Sequence, residues 1–228
     1  MIPLVCENDW RRTLSDLPKW CPPLGHALVV APHPDDETLG AGGLISHLCS
    51  LGAEVTVVAA TDGEKAYPDM PGLGDLRRWE QSQALDRLGV KENQVHRLRL
   101  PDSGVEAHED DLAVALQAIV TQEMYLVAPW RRDFHPDHEA CGRAAEYVSR
   151  TMQTPIISYF FWTWHRGVLQ DLADIKLAIL PLTGEDISAK REALLFHQSQ
   201  LHRRDGSPIL PQHLLESVDR PFDVFLVP

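Results

Sequence analysis

Cysteine is scarce in this chain. The four residues, Cys6, Cys21, Cys49 and Cys141, include no CxxC pair. That spacing excludes a small disulfide-stapled scaffold and argues against a thiolate metal site. Cys49 and Cys141 fall in helical-looking segments and read as small buried fillers. Long apolar runs are missing too. No stretch approaches the ~20 residues that a membrane span needs. The opening MIPLVCENDWRRTL carries acids early and lacks the apolar centre of a secretory signal. Positive charge is in deficit, with 21 Lys and Arg against 33 Asp and Glu for a net charge of −12. Such a balance disfavours nucleic acid or an anionic membrane as the main partner. These absences lead to the expectation of a cytoplasmic protein acting on a small molecule.

What is present suits a single α/β domain over residues 1–228. The length and the 44% hydrophobic content are enough to bury a sizeable core. Apolar runs at 27–31, 54–60, 94–100, 125–128, 156–160 and 176–180 read as strands. Helical patterns fall at 39–51, 76–88, 109–121, 138–152 and 185–200. Strand and helix in alternation imply a Rossmann-like, mostly parallel sheet with helices on both faces. Residues 1–24, with Pro18, Pro22 and Pro23, read as an irregular lead or short helix. Residues 203–228 read as a Pro-rich extended tail ending in an apolar 224–227 run.

The chemistry is concentrated in ALVVAPHPDDETLGAGG at 27–43. An apolar run stops abruptly at His33, Asp35, Asp36 and Glu37, and strand ends are where open α/β sheets place their sites. Adjacent carboxylates there repel, and partial burial raises the penalty unless a cation neutralises them. A divalent metal supplies that charge. Pro34 restricts the turn so that His33 and Asp36 aim at one point, with Asp35 beside it. The bland alternative makes Asp36 a helix N-cap and His33 a solvated loop residue. A second cluster weighs against it. MYLVAPWRRDFHPDH at 124–138 is another apolar run ending in His135, Asp137 and His138. Three protein ligands plus a water is the usual catalytic zinc arrangement. The residues supply His33, Asp36 and one of the two later histidines, without deciding which. Iron or manganese are alternatives to zinc.

These motifs resemble those of the LmbE-like, or PIG-L, family of zinc-dependent N-acetylglucosaminyl deacetylases. APHPDDE at 31–37 is similar to the family's A-H-P-D-D-E motif, with Pro32 as an extra residue. HPDH at 135–138 is similar to its H-x-D-H. ATDGE at 60–64, RRWEQSQALDRLGV at 77–90, LPDSGV at 100–105 and KREALLFHQSQ at 190–200 extend the likeness over roughly residues 25–200. In LPDSGV, Ser103 stands in the usual glycine place. The resemblance implies hydrolysis of the N-acetyl amide of an N-acetylglucosamine-type sugar or conjugate. On this reading His33, Asp36 and His138 hold zinc, and Asp35 is the general base. A protonated His135, oriented by Asp137, stabilises the oxyanion. Arg78, in preference to Arg77, and Asp102 hold substrate hydroxyls, as the resemblance implies.

Arg131 and Arg132 follow the fourth strand and are candidates for an anionic group on the substrate, with pairing to acids such as Asp133 as the bland alternative. Trp162 and Trp164 offer either a wall for a sugar ring or core packing. Gly40, Gly42 and Gly43 lack the dinucleotide fingerprint and read as close-packing residues of the first helix. His197 belongs to the late signature, with a structural role as the plain reading. Two other functions stay open: an amidase acting on a thiol conjugate or other non-sugar amide, and a non-catalytic sugar- or nucleotide-binding protein. A homo-oligomer is compatible with all three.

Overall fold

The computed structural model describes residues 1–67, 69–203 and 206–228. Its strands are β1 (His26–Ala31), β2 (Val55–Thr61), β3 (Val95–Leu100), β4 (Met124–Pro129), β5 (Ile156–Tyr159), β6 (Leu177–Pro181) and β7 (Phe222–Leu226). The helices are α1 (Glu7–Leu14), α2 (Asp36–Ser50), α3 (Leu73–Leu88), α4 (Glu109–Ile119), α5 (Pro136–Met152), α6 (Thr163–Arg166), α7 (Gly184–Leu194) and α8 (Gln198–Leu201). The strands form one sheet in the order β3-β2-β1-β4-β5-β7-β6. Neighbours from β3 to β5 pair in parallel, and only β7 runs against its neighbours β5 and β6.

Alternation along the strands explains the layers. In β1, Ala27, Val29 and Ala31 face one way, into a core completed by α2, α3 and α7. Leu28 and Val30 face the other way, into a core completed by α4 and α5. Both faces of β1 and β4 are therefore covered, which is why their sequences read as unbroken apolar runs. Strand order reverses between β1 and β4, and the crevice at the carboxyl ends of these two strands is the natural site of such a sheet.

The glycines of α2 do pack closely. A Cβ on Gly40 would collide with the ring of Tyr159, whose hydroxyl donates to the Val30 carbonyl at 2.9 Å. Two expectations are revised. The late helix is not continuous over 185–200: it ends at Leu194 and resumes as α8 after His197. The tail contributes a seventh strand, with Leu177–Pro181 in register along Leu226–Phe222. No helix of the described residues is long and apolar enough to cross a membrane.

Candidate active site

The loop after β1 delivers His33, Asp35 and Asp36, and the loop after β4 with the start of α5 delivers His135, Asp137 and His138. Ligand atoms of His33, Asp36 and His138 all lie within 4.8 Å of one another. Asp36 Oδ2 is the meeting point, 2.9 Å from His33 Nδ1 and 3.1 Å from His138 Nε2. Burial opposes charge on Asp36, but His138 and His33 beside it hold its carboxyl well below the usual range. The opposite shifts follow on the imidazoles. Burial lowers the affinity of His138 for a proton, yet Asp36 and Asp133 lift its pKa to about 9. His33 is likewise raised well above its ordinary value against the pull of burial, by Asp102, Asp137 and Asp36.

Each imidazole of this group has its far nitrogen fixed by an acid. His33 Nε2 lies 3.0 Å from Asp137 Oδ2. His138 Nδ1 lies 2.9 Å from Asp133 Oδ2. Asp133 is itself anchored, accepting the Phe161, Trp162 and Thr163 amides and the Thr163 hydroxyl. Carboxylates behind imidazoles set the tautomer and turn the remaining lone pair inward. His138 Nε2 is buried and makes no hydrogen bond among the described residues. A nitrogen without a hydrogen-bond partner, facing a carboxylate and a second imidazole, fits a metal ligand in an N/O site once its proton is released.

Asp35 sits at the N-cap of α2 with φ +134°, a region that residues other than glycine rarely adopt, and its side chain makes no cap bond. Its carboxylate instead meets Arg77 Nη2 at 3.1 Å. Burial raises its pKa to about 8 although the Arg77 charge opposes the shift. Arg77 is buried and also donates to the carbonyls of Gly63 and Pro34. His135 stacks on Trp162, ring centroids 5.6 Å apart. A cavity of about 250 Å³ lies over these groups. Its walls include His33, Asp35, Asp36, Asp102 and His135, together with Ala66, Gln200, Ile209 and Leu210.

Several assignments from sequence change. The structure places Arg77, not Arg78, on the cavity wall: Arg78 pairs with Asp62 and Asp75. The signal was in the helix phase, because Arg77 shares the buried face of α3 with Glu80, Gln81, Ala84 and Leu88. Arg131 and Arg132 are not brought to the cavity. The chain turns after Trp130, sending Arg131 outward to Glu146 and Arg132 against the Trp130 ring, while Asp133 turns in. Asp137 faces His33 and the Ser103 and Val105 amides and makes no hydrogen bond to His135. Nor is His135 protonated near neutrality, since burial and the His138 and His33 charges push its pKa down to about 4. Asp102 does line the cavity, 3.5 Å from His33 Nε2. Ser103 holds φ +59°, a conformation that glycine adopts most readily. Trp162 is a wall residue, whereas Trp164 packs on Trp10 in the core. Asp133 had no mark in the sequence beyond its place two residues before His135.

Residues 28–149 match the family model described as PIG-L, GlcNAc-PI de-N-acetylase. The chain belongs to the PIG-L family. This PIG-L protein is 30% identical over 189 residues to a probable N-acetyl-alpha-D-glucosaminyl L-malate deacetylase 2 of Bacillus subtilis strain 168. That alignment covers 77% of this chain and 83% of the relative. Among solved structures, it resembles N,N'-diacetylchitobiose deacetylase from Pyrococcus horikoshii, with a TM-score of 0.61 and 25% identity over 78% of this chain and 71% of that one. The fold also matches an A40926 pseudoaglycone deacetylase, with a TM-score of 0.67 and 20% identity over 90% and 96% of the two chains.

Proposed function

We propose that this PIG-L protein removes the acetyl group from the nitrogen of an N-acetylglucosamine-type sugar conjugate, with a zinc ion held by His33, Asp36 and His138. The observation that carries the reading is one point ringed by three ligand atoms, with Asp35 beside it in a small cavity. Zinc, when bound, supplies a Lewis acid for the water and for the amide carbonyl. Asp35 accepts the proton of the attacking water. It then passes that proton to the departing amine. Arg77 fixes the Asp35 carboxylate from behind. His135, neutral and braced on Trp162, offers an N–H to the carbonyl oxygen as it gains charge. Asp137 and Asp133 hold the ligand imidazoles, and Asp102 accepts a sugar hydroxyl.

Acetate release from a panel of N-acetylglucosaminides, run alongside metal analysis, tests this. Wild-type protein carries about one transition-metal ion per chain and releases acetate. Asp35→Asn keeps the metal and loses about 10²–10⁴-fold in kcat. Metal-replete, folded protein that releases no acetate from any acetamido sugar overturns the reading.

A further inference from the structure

Asp35 is held at two points from one helix. Its backbone takes φ +134°, a strained conformation for an aspartate, and its surroundings must keep it there. Arg77 meets its carboxylate at 3.1 Å. Its amide N–H donates to Glu37 Oε2 at 3.4 Å, a reach-back contact at the start of α2. Glu37 is fully buried and does not line the cavity. Among the described residues, the side chain that donates to Glu37 Oε2 is Gln81, with Nε2 at 3.0 Å. Gln81 is fully buried as well. It lies four residues after Arg77, so both side chains leave the same face of α3. That face acts on Asp35 directly at the carboxylate, and through Glu37 at the amide.

A glutamine amide has a donor end and an acceptor end, and Arg97 decides which one Glu37 receives. Val95, at the start of β3, packs against the core shared with α2 and α3, and Arg97 two residues later points the same way. Arg97 Nη1 donates to Gln81 Oε1 at 2.5 Å, and its Nη2 donates to Ser82 Oγ at 2.8 Å. A guanidinium only donates, so Oε1 is committed to Arg97 and the NH2 group is turned to Glu37. No other described residue hydrogen-bonds to Gln81 Oε1. The run Arg97–Gln81–Glu37–Asp35 thus connects the edge strand of the sheet to the candidate base.

We propose that Gln81 and Arg97 are positioning residues: acting through Glu37, they hold the Asp35 backbone so that its carboxylate meets the attacking water. The proposal rests on the deacetylase reading with Asp35 as base. Neither residue lines the cavity.

The experiment is steady-state acetate release from one N-acetylglucosaminide, with metal content and melting temperature measured on the same preparations. Gln81→Leu and Arg97→Leu each lower kcat by about 10–100-fold, the cost of a misplaced reacting group, with KM and bound metal unchanged. Arg97→Lys keeps a donor for Gln81 Oε1 and stays within about threefold of wild type. The double variant is no slower than Gln81→Leu alone, because both changes break one run of contacts. Should Gln81→Leu not fold, the two Arg97 variants, on an edge strand, carry the test. A merely stabilising role predicts a lower melting temperature with kcat per metal-loaded chain unchanged, and that result overturns the proposal. So do losses that multiply in the double variant, or an Arg97→Lys as slow as Arg97→Leu. Metal-replete wild type that releases no acetate overturns the deacetylase reading and this proposal with it.

Discussion

At the residue scale, buried acids hold the imidazoles of the candidate site from behind. Asp133 is fully buried and fixes His138 Nδ1 at 2.9 Å. Asp133→Asn keeps the side-chain shape but loses the charge that sets the imidazole tautomer. It is expected to weaken metal binding by about 10–100-fold. Competition against a chelator measures this, and a change under about threefold would reduce Asp133 to an anchor of the Phe161–Thr163 backbone. This is also the scale at which the sequence was least legible. His33, Asp35, Asp36 and His138 stood out because ligands packed at the end of an apolar run repel one another unless a cation joins them. Asp133 and Arg77 did not, because one aspartate in a loop, or one arginine of a pair, carries no mark until the chain direction is known. Asp137 was visible as a participant, but its partner was not, because the choice between His33 and His135 depends on a contact across 104 residues.

At the scale of elements, the approach of α2 to β5 fixes where His33 and Asp36 emerge. That approach requires glycine at position 40, where an added methyl meets the Tyr159 ring. Tyr159 cannot swing aside without losing its bond to the Val30 carbonyl. Gly40→Ala is expected to destabilise by about 1–3 kcal/mol. Gly184→Ala, at the open start of α7 with no atom within 4 Å, should be neutral or stabilising by up to ~1 kcal/mol. Urea unfolding of both variants checks the contrast, and equal effects would mean that close packing at α2 is not the cause. Six strands were legible because apolar runs between turn residues leave little choice. β7 was seen only as an apolar tail, since Pro-rich flanks hide a strand whose partners lie elsewhere in the chain. The break at His197 was hidden for a different reason. Its helical flanks, 190–194 and 198–200, read as one pattern, although His197 itself adopts φ −77° and ψ +50°.

Across the whole molecule, the buried charges make stability of the metal-free protein depend on pH. Asp35 ordinarily titrates at 3.8 but at about 8 when folded, and Glu37 moves from 4.5 to about 7. His138 moves from 6.5 to about 9. In each case the folded state holds a proton that the unfolded chain has released, so stability falls as pH rises through the window. His135 and His165, lowered to about 4, and His197, lowered to about 3, act oppositely, but their gain is complete just above 6.5. Between pH 7 and 9 only the losses remain. The melting temperature of chelator-treated protein should therefore drop across that range, and a flat or rising curve would mean these groups do not titrate as their burial demands. The sheet order has a consequence of another kind. β7 is the last of the seven strands in the chain, yet it lies inside the sheet, between β5 and β6. While the protein is being synthesised, β5 and β6 are made some 40 to 60 residues before the strand that joins them. For that interval the nascent chain carries two open apolar edges on the ribosome, the exposure that invites pairing with other chains. Ribosome-associated chaperones would have most to protect in this protein just before Phe222 emerges.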